Sequence, residues 1–477
     1  MRYSAVLFVA PLAAPASKAA RAPDAHGRGT MRGARSSGLG GPEGRPVRFR
    51  CTFHNTIYDV LRARGWREVE TDTDWDVAWI DTGWLRENYD VMHLEDHQRI
   101  NHFRNHYELT RKDNLIKNLK RTQRQLQREG KEEEARKYDF FPGTFVLPAD
   151  YGLFVEEFKS QVGAIWIMKP IGKAQGKGIF LFNKLAQINE WKKDHRWKSD
   201  NPQAESYVVQ RYIENPMLVG GKKFDLRIYV LVTSYSPLTV YMYRAGFARF
   251  SSYRYNTNAK NLGDNYVHLT NVAIQKTGPG YDAGAGCKWP LRNLKLYLMG
   301  RHGVAATDTL FSEIEDICVN SLLAVQKVMI NDKHCFEMYG YDIMIDDNLK
   351  PWLIEVNASP SLTADTPQDY ELKFGLLVHT YTHTHTHTHI HTHSHTHTHI
   401  HTQQKDDVYS VVDVEGKLGG AQEECVGGFD LVYNGGPLQT NKQSSFSTRL
   451  GCFDDRVRQL KKLHKMHAKR LAAAQSH

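Results

Sequence analysis

One predicted β-hairpin constrains this chain more than any other stretch of its sequence. Residues 341–345 and 352–356 are rich in Ile, Val, Trp and Tyr, and the segment between them, DDNLKP, has the composition of a turn. Side chains alternate across a strand, so Asp342 lies on one face of the first strand, while Glu355 and Asn357 share a face of the second. The sheet must therefore accommodate polar oxygens on apolar strands.

The three polar side chains of this hairpin form a candidate metal site. Asp342, Glu355 and Asn357 would supply two carboxylates and an amide, the hard oxygen ligands that suit Mg²⁺, which shares its other positions with water and nucleotide phosphates. Acidic residues are also common on a solvated hairpin face. The pattern alone leaves both interpretations open.

The composition describes a globular protein with unusual ends. The 477 residues carry a net charge of +9, but residues 1–50 hold nine basic against two acidic residues, and residues 449–477 hold eight against two. Net charge therefore indicates no polyanionic partner for the core, and we expect no nucleic acid. Six scattered cysteines without a C-x-x-C motif argue against a disulfide framework or zinc module, and without a long apolar run we expect no membrane span.

The N-terminal region changes character near residue 48. Residues 1–47 are rich in Arg, Gly, Ala and Pro, and we interpret them as a disordered or mispredicted leader with Met31 as a candidate start. The first twenty residues also resemble a secretory signal superficially. Alternating apolar segments predict an α/β lobe over residues 48–150, with four tryptophans in its core: Trp66, Trp75, Trp79 and Trp84.

A basic helix is predicted within that lobe. Residues 101–131 contain nine Lys or Arg, and Leu115, Leu119 and Leu126 recur at helical spacing. The basic outer surface is either simply solvated or docks an acidic partner. Farther along, residues 305–330 predict a helix that packs behind the hairpin through apolar positions at helical intervals: Leu310, Ile314, Ile317, Leu322 and Val325.

Two segments carry candidate ligand-binding residues. Residues 165–170 form an apolar strand containing Lys169, and the following loop, GKAQGKGIF, has glycines that let its backbone approach a phosphate and two lysines for countercharge. Later, Lys223, Asp225 and Arg227 alternate on one face of an apolar strand, which is costly unless they pair or contact a ligand. We favour a ligand site over an internal ion pair.

The C-terminal part contains a simple repeat. Residues 379–402 alternate His with Thr and hold 11 of the 24 histidines, as a translated CACACA repeat would. We interpret residues 376–404 as a low-complexity insert of genomic or gene-model origin, although clustered imidazoles could bind metal adventitiously. Residues 405–477 are assigned to a C-terminal tail that ends in a basic helix.

A resemblance to a known family rests on five motifs that occur in a fixed order: WIMKP, QGKGIFLF, VVQRYIENPMLVGGKKFDLRIYVLV, HLTNVAIQK and DIMIDDNLKPWLIEVNASPSL. Over about residues 53–373 the sequence resembles the tubulin tyrosine ligase-like family of ATP-grasp enzymes, and within it the polyglutamylase branch. The resemblance implies an α/β (α+β) ATP-grasp fold. Its parts would be the N-terminal lobe, a central lid domain at residues 151–230 and a C-terminal Mg-ATP domain at residues 231–375.

The resemblance also implies roles for individual residues. ATP would be held by Lys169, Gln175, Gly176, Lys177, Gln210, Arg211, Tyr212, Ile213, Lys223, Asp225, Thr270 and Asn271. Mg²⁺ would be bound by Asp342, Glu355 and Asn357. Free glutamate would be held by Arg249, Lys288, Asn357 and Lys373. The implied catalytic residues are Lys169, Lys223 and Arg227, and the sequence assigns no general base.

The implied reaction joins free L-glutamate to the γ-carboxylate of a glutamate in a tubulin C-terminal tail, after ATP has phosphorylated that carboxylate. Autonomous family members carry a longer cationic extension that we do not find here, so accessory protein subunits are expected. The alternative is a non-catalytic nucleotide-binding subunit of a microtubule or axoneme assembly. The resemblance implies a location in the cytoplasm and cytoskeleton, including the axoneme or basal body of cilia and flagella.

Overall fold

A computed structural model of the chain describes residues 45–188, 206–258, 261–279, 281, 287–377, 424–438 and 447–452. Most of the predicted leader, the His-Thr repeat and the predicted C-terminal basic helix lie outside these residues. The last residues assigned to the leader belong to the folded lobe, because Val47 is fully buried and Arg45 pairs with Asp76. No helix among the described residues is long and apolar enough to cross a membrane.

The N-terminal lobe is built on a parallel sheet in the order β2-β1-β3-β4. Its strands are β1 (Arg48–Cys51), β2 (Arg67–Glu68), β3 (Val77–Trp79) and β4 (Arg99–Ile100). Its helices are α1 (Thr56–Ala63) and α2 (Thr82–Asn88), with a 3₁₀ turn at Tyr89–Val91. Three of the four predicted core tryptophans are buried and Trp84 packs against the core, which confirms that prediction.

The predicted basic helix is present, but the segment is divided into three helices. These are α3 (Tyr107–Thr110), α4 (Lys112–Arg128) and α5 (Glu132–Arg136). Leu115 and Leu119 are buried and Leu126 packs partly buried against the same core. Lys117, Arg121, Arg124 and Arg128 lie exposed on the outer face of α4, whereas Lys112 and Lys120 face the rest of the protein.

A second, antiparallel sheet forms the central part, in the order β5-β8-β6-β7. Its strands are β5 (Thr144–Leu147), β6 (Trp166–Pro170), β7 (Phe180–Phe182) and β8 (Tyr207–Arg211), and α6 (Tyr151–Ser160) covers one face. Phe154 of α6 packs edge-on against Trp166 and Phe182. Aromatic packing on this face leaves the opposite face, which carries Lys169, for other contacts.

The largest sheet is antiparallel, in the order β14-β13-β10-β11-β16-β15, with β9 beside β10 and β12 beside β11. Its strands are β9 (Leu218–Val219), β10 (Lys222–Tyr235), β11 (Leu238–Arg254), β12 (Lys288–Pro290), β13 (Glu337–Ile345), β14 (Pro351–Ala358), β15 (Cys425–Val426) and β16 (Phe429–Asn434). The predicted hairpin is β13–β14. Residues 424–438, which the sequence analysis assigned to a tail, instead contribute an edge hairpin because β16 pairs with β11.

The helices of this region are α7 (Asn265–His268), α8 (Val272–Gln275), α9 (Leu291–His302), α10 (Val304–Gln326) and α11 (Pro367–Leu377). The predicted helix behind the hairpin is α10, and all five of its predicted apolar positions are buried. Ser321 of α10 lies 2.8 Å from the hydroxyl of Tyr341 on β13, oxygen to oxygen. The helix thus supports the hairpin from behind.

The sheets do not divide where the domain limits were predicted. Residues 144–147, placed in the N-terminal lobe, pair with β8 of the central sheet. The limit at residue 230 falls inside β10, which continues unbroken to Tyr235. A hydrogen-bonded strand belongs to one sheet along its length. The limits of the sheets therefore favour a lid at residues 144–211. The domain limits remain a proposal.

Candidate active site

A row of charged side chains crosses one face of the largest sheet. Residues paired directly across neighbouring strands share a face of the sheet. The register pairs Glu355 with Asp342, Asp342 with Arg227, Asp225 with Arg249, and Arg249 with Lys288. Strand alternation places Lys223 on the same face of β10, two residues before Asp225. The row runs from β14 through β13, β10 and β11 to β12.

A cleft lies between this row and the central sheet. Its walls include Lys169 and Gln210 from the central sheet and Lys223, Asp342 and Glu355 from the largest sheet. All residues implied to hold ATP line it except Lys177, and apolar side chains complete it, namely Ile167, Ile179, Met344 and Ile354. The cleft thus combines apolar side chains with many polar and charged ones, and concave sites of mixed lining are the usual form of a small-molecule site.

Lys169 is held in the cleft by a neutral partner. Its Nζ donates to Oε1 of Gln210 over 2.8 Å, and Gln210 in turn donates to Oγ1 of Thr144 over 3.0 Å. Burial lowers the pKa of Lys169 to about 8, against the opposing effect of Glu355. Among the described residues no carboxylate oxygen lies within 4 Å of this ammonium group, so its charge is available to an anionic ligand.

Lys223 is placed in the same way on the other wall. Its Nζ donates to the hydroxyl of Tyr212 and to the backbone carbonyl of His268, both over 2.9 Å. Burial lowers the pKa of Lys223 to about 7, partly offset by Asp225. Nδ1 of His268 also lies 3.0 Å from the Tyr212 hydroxyl, so this histidine helps to position the group that binds Lys223.

The glycine-rich loop turns sharply beside the cleft. Gln175, Gly176 and Gly178 have φ of 61°, 78° and 74°. A Cβ on Gly176 would come 2.4 Å from Ile274 Cδ1, so both the positive φ and the close approach to α8 favour glycine here. Lys177 is exposed and does not line the cleft, whereas Lys173 does, so the ATP contact of Lys177 stays a prediction.

Asp342 is fixed as an anion by two arginines. Arg227 Nε donates to its Oδ1 over 2.6 Å, and Arg249 Nη2 lies 2.8 Å from its Oδ2. Burial alone would raise the pKa of Asp342, but these guanidinium groups lower it to about 2. Arg249 also holds Asp225 with two hydrogen bonds of 2.9 and 2.5 Å. The sequence analysis favoured a ligand site over an internal ion pair for these strand residues. Asp225 and Arg227 nevertheless form ion pairs, whereas Lys223 has no carboxylate partner among the described residues and agrees with a ligand site.

The hairpin residues fit a magnesium ion by their donor chemistry. Asp342 and Glu355 are direct cross-strand partners, and Asn357 Nδ2 lies 3.4 Å from Asp342 Oδ2. The described residues contain no cluster of three or more His, Cys, Asp or Glu, so any metal there would depend on the amide of Asn357 and on ligand oxygens. Glu355 is the more available carboxylate, since its ion-pair partner is the ammonium of Lys112 at 3.5 Å.

A second cavity, of about 630 Å³, opens beside the cleft. Its walls bring together Arg227 and all the residues implied to hold glutamate, namely Arg249, Lys288, Asn357 and Lys373. Gln175, Asn271 and Glu355 line both this cavity and the cleft. The two spaces therefore meet at Glu355, and the residue sets for the nucleotide and the amino acid occupy separate but adjoining walls.

Two aspartates that the sequence analysis missed neutralise the lysines of this cavity. Lys288 Nζ lies 2.7 Å from Asp365 Oδ2 and 2.8 Å from Asp369 Oδ2. Lys373 Nζ lies 3.0 Å from Asp369 and donates to the carbonyl of Thr363 over 2.7 Å. Burial and the nearby Lys288 lower the pKa of Lys373, and Asp369 opposes them. The four-residue spacing of Asp369 and Lys373 on α11 was the available signal.

The model of the tubulin-tyrosine ligase family matches residues 90–395. The chain belongs to this family. The match confirms the resemblance seen in the motifs, and with it the α/β ATP-grasp-like fold, which the three sheets display. Family membership makes the chain a ligase.

Three named relatives are similar to this chain along most of its length. "Probable tubulin polyglutamylase TTLL9" of Rattus norvegicus is 48% identical over 455 residues, covering 87% of this chain and 92% of the relative. "Probable tubulin polyglutamylase ttll-9" of Caenorhabditis elegans is 45% identical over 399 residues, covering 83% and 87%. "Probable alpha-tubulin polyglutamylase Ttll1" of Tetrahymena thermophila is 47% identical over 353 residues, covering 70% and 85%.

Proposed function

We propose that this chain is an ATP- and Mg²⁺-dependent tubulin polyglutamylase, which joins L-glutamate to glutamate side chains of tubulin tails. The observation that carries the proposal is the adjoining cleft and cavity, one with unneutralised lysines and the other with a cluster of cations, which meet at Glu355. The relatives carry the names of polyglutamylases, which supports the same reaction.

The cleft residues would hold the nucleotide. Lys169 and Lys223 present fixed positive charge to the phosphates, and Gln210 to Ile213 border the apolar slot for the base. Asp342, Glu355 and Asn357 would bind Mg²⁺, which would neutralise charge on the phosphates, and ATP would supply the phosphoryl group that activates the acceptor carboxylate. Asp342 is suited to this because Arg227 and Arg249 keep it ionised.

The cavity residues would hold the amino acid. Glutamate carries two carboxylates, and Lys288 and Lys373 offer cations of matching number. Because Asp365 and Asp369 already occupy these lysines, the incoming carboxylates must compete with them. Arg227, 9% exposed and in the cavity wall, is placed to stabilise the negative charge that develops on the acceptor carbonyl.

The acceptor tail would dock on the basic face of α4. Four exposed cations repeat at helical spacing along this face: Lys117, Arg121, Arg124 and Arg128. A glutamate-rich tail is complementary to such a stripe. We also propose that the chain acts together with accessory subunits. Its site of action would be the cytoskeleton, including the axoneme or basal body of cilia.

The deciding experiment incubates the purified full-length chain with microtubules, ATP, Mg²⁺ and radiolabelled glutamate, alone and after addition of a flagellar or brain extract. Glutamate incorporation above the extract background supports the proposal, and parallel reactions with radiolabelled glycine test the amino-acid choice. Equal incorporation of glycine would refute polyglutamylation. Nucleotide binding without incorporation under any condition would instead favour a non-catalytic subunit.

A further inference from the structure

A Ser–His–Glu arrangement lies against the wall of the cavity. Ser359 Oγ is 2.9 Å from Nε2 of His102, and Nδ1 of His102 is 2.9 Å from Oε1 of Glu337. His102 is 1% exposed and Glu337 is fully buried, whereas Ser359 lines the cavity together with Glu355 and Asn357. Ser359 is therefore the point at which this arrangement meets a bound molecule.

The surroundings of Glu337 fix the orientation of the imidazole. Its Oε2 accepts hydrogen bonds from the backbone N–H of Phe103, over 3.1 Å, and from the hydroxyl of Tyr339, over 3.0 Å. These two donors hold the carboxylate in place beside the imidazole. A hydrogen bond from Nδ1 of His102 to Glu337 leaves Nε2 as the acceptor, and Nε2 then faces Ser359 Oγ and the amide nitrogen of Asn101, which lies 3.2 Å away.

The site also provides a partner for the protonated imidazole. The backbone carbonyl oxygen of Ile80 lies 3.1 Å from Nε2 of His102. It repels an unprotonated Nε2 and accepts a hydrogen bond from a protonated one. The other titratable groups here are His106, whose ring centroid is 5.4 Å from that of His102, and Tyr339. The arrangement thus has an acceptor and a counter-ion ready for a proton that arrives through Ser359.

The backbone holds Ser359 in an unusual conformation. Its φ of 45° lies in the left-handed region, which a non-glycine residue seldom adopts and which is often found at functional sites. The next residue, Pro360, packs on Gly340 so closely that a Cβ there would lie 2.8 Å from Pro360 Cβ and 3.2 Å from Arg227 Cδ. Ser359 and Arg227 both line the cavity beside this tight packing.

We propose that Ser359, His102 and Glu337 remove a proton from the incoming amino acid, an inference that rests on the proposed function. The ammonium group donates a proton to Ser359 Oγ as Ser359 passes its own to His102 Nε2, and Glu337 balances the charge. The freed lone pair attacks the carbonyl carbon of the acyl phosphate. The C–N bond forms, the C–O bond to phosphate breaks with its electron pair on phosphate, and the departing phosphate takes the second amine proton.

The roles within this relay differ. Ser359 contacts the amine and is the catalytic residue, while His102 and Glu337 act through it as positioning residues. A nucleophile that reaches the site already unprotonated does not need the relay. Hydroxylamine is such a nucleophile at neutral pH, and it converts acyl phosphates to hydroxamates.

The test compares the two nucleophiles on the full-length protein with ATP, Mg²⁺ and microtubules, under the conditions in which the wild type ligates glutamate. Mass spectrometry of the tubulin tails measures glutamylation and hydroxamate formation. In Ser359→Ala we expect glutamylation to fall about 100-fold, the usual effect of losing acid–base assistance, while hydroxamate formation stays within about 3-fold of wild type. The remaining glutamylation should rise with pH as the free amine becomes more abundant.

Glu337→Gln serves as a second variant, because it keeps the shape of the buried side chain and the fold can be checked by its melting temperature. We expect the same selective loss of glutamylation, by about 10-fold or more. Equal losses with both nucleophiles, or no loss with either, would overturn the relay. If the wild type forms neither product, the proposed function itself is wrong and the relay fails with it.

Discussion

The cleft and the cavity lie against the same sheet, but the cations of the cleft contact neutral groups and those of the cavity contact carboxylates. In the cleft, Lys169 and Lys223 are buried against neutral groups, and burial lowers the pKa of each lysine. In the cavity, Arg249 and Lys288 are buried or half-buried against carboxylates. A cation without a counter-ion is stabilised by an anionic ligand, whereas a paired cation is already stabilised within the protein.

This difference suggests separate tasks for the two regions. The unpaired buried lysines of the cleft lower the stability of the protein without ligand. A bound polyphosphate would neutralise them and stabilise the protein. The cations of the cavity are already paired with carboxylates, so a ligand must displace the Asp365 or Asp369 contacts to bind. Discrimination in the cavity therefore depends on a ligand with enough carboxylates to replace them, which a di-acid has and glycine lacks.

Breaking a pair in the cavity should have the largest effect. Arg249→Ala leaves Asp225 and Asp342 buried without their shared partner, and we expect the free energy of unfolding to fall by about 3 to 5 kcal/mol. Urea unfolding would measure this. Arg104→Ala removes an exposed pair with Asp90 and should cost less than about 1 kcal/mol. Equal losses of unfolding free energy in the two variants would contradict the expected difference between buried and exposed ion pairs.

Glu355→Gln tests the point at which the regions meet. Removing this charge should lower ligation at least about 100-fold, because even changes outside the metal ligands can cost that much. The melting temperature should stay close to wild type, since Glu355 has only the Lys112 contact at 3.5 Å within the described residues. Glu371→Gln, an exposed substitution on α11, is the matched control. Turnover like wild type would remove Glu355 from the metal site.

Lys223→Met tests the unpaired cations of the cleft. Because no carboxylate loses a partner, we expect the apo protein to lose little stability. Nucleotide affinity should fall by about 10- to 150-fold, the equivalent of one charge-assisted hydrogen bond. Calorimetric titration with ATP, next to the unfolding curve, gives both quantities. A stability loss as large as that of Arg249→Ala would show that the two regions do not differ.

A smaller effect should appear with pH. The pKa of Lys223 is about 7 in the folded chain against an ordinary 10.5, so between these values the unfolded chain binds more protons. The free energy of unfolding should therefore rise with pH through this window. Nucleotide binding favours the charged lysine, and its affinity should fall by at most about tenfold per pH unit above about pH 7. Lys223→Met should flatten both curves, and curves like wild type would refute the assignment.

Local pattern predicted much of this molecule. The alternation of residues 341–357 located the hairpin and the shared face of Glu355 and Asn357, and helical spacing located α10. Pattern could not show that Arg227 lies opposite Asp342, because those strands are 115 residues apart and their register depends on the whole sheet. The loop residue Asp365 has no periodic signal at all.

The difference between the predicted domain limits and the limits of the sheets has the same origin. An apolar run marks a strand but not the sheet that it joins, so the limit at residue 230 cut through β10. Residues 424–438 follow a long interruption, and their return to the sheet depends on pairing with β11. Ser359 was overlooked because its conformation, rather than its sequence neighbours, distinguishes it.

The late return of β16 has a consequence for synthesis on the ribosome. Residues 239–243 of β11 receive their outer partner only when residues 429–434 have been made. At about 5 to 20 residues per second, this part of β11 waits on the order of 10 to 40 seconds with an open edge. An unpaired edge is a template for pairing with another chain. We therefore expect chains that terminate before residue 429 to aggregate.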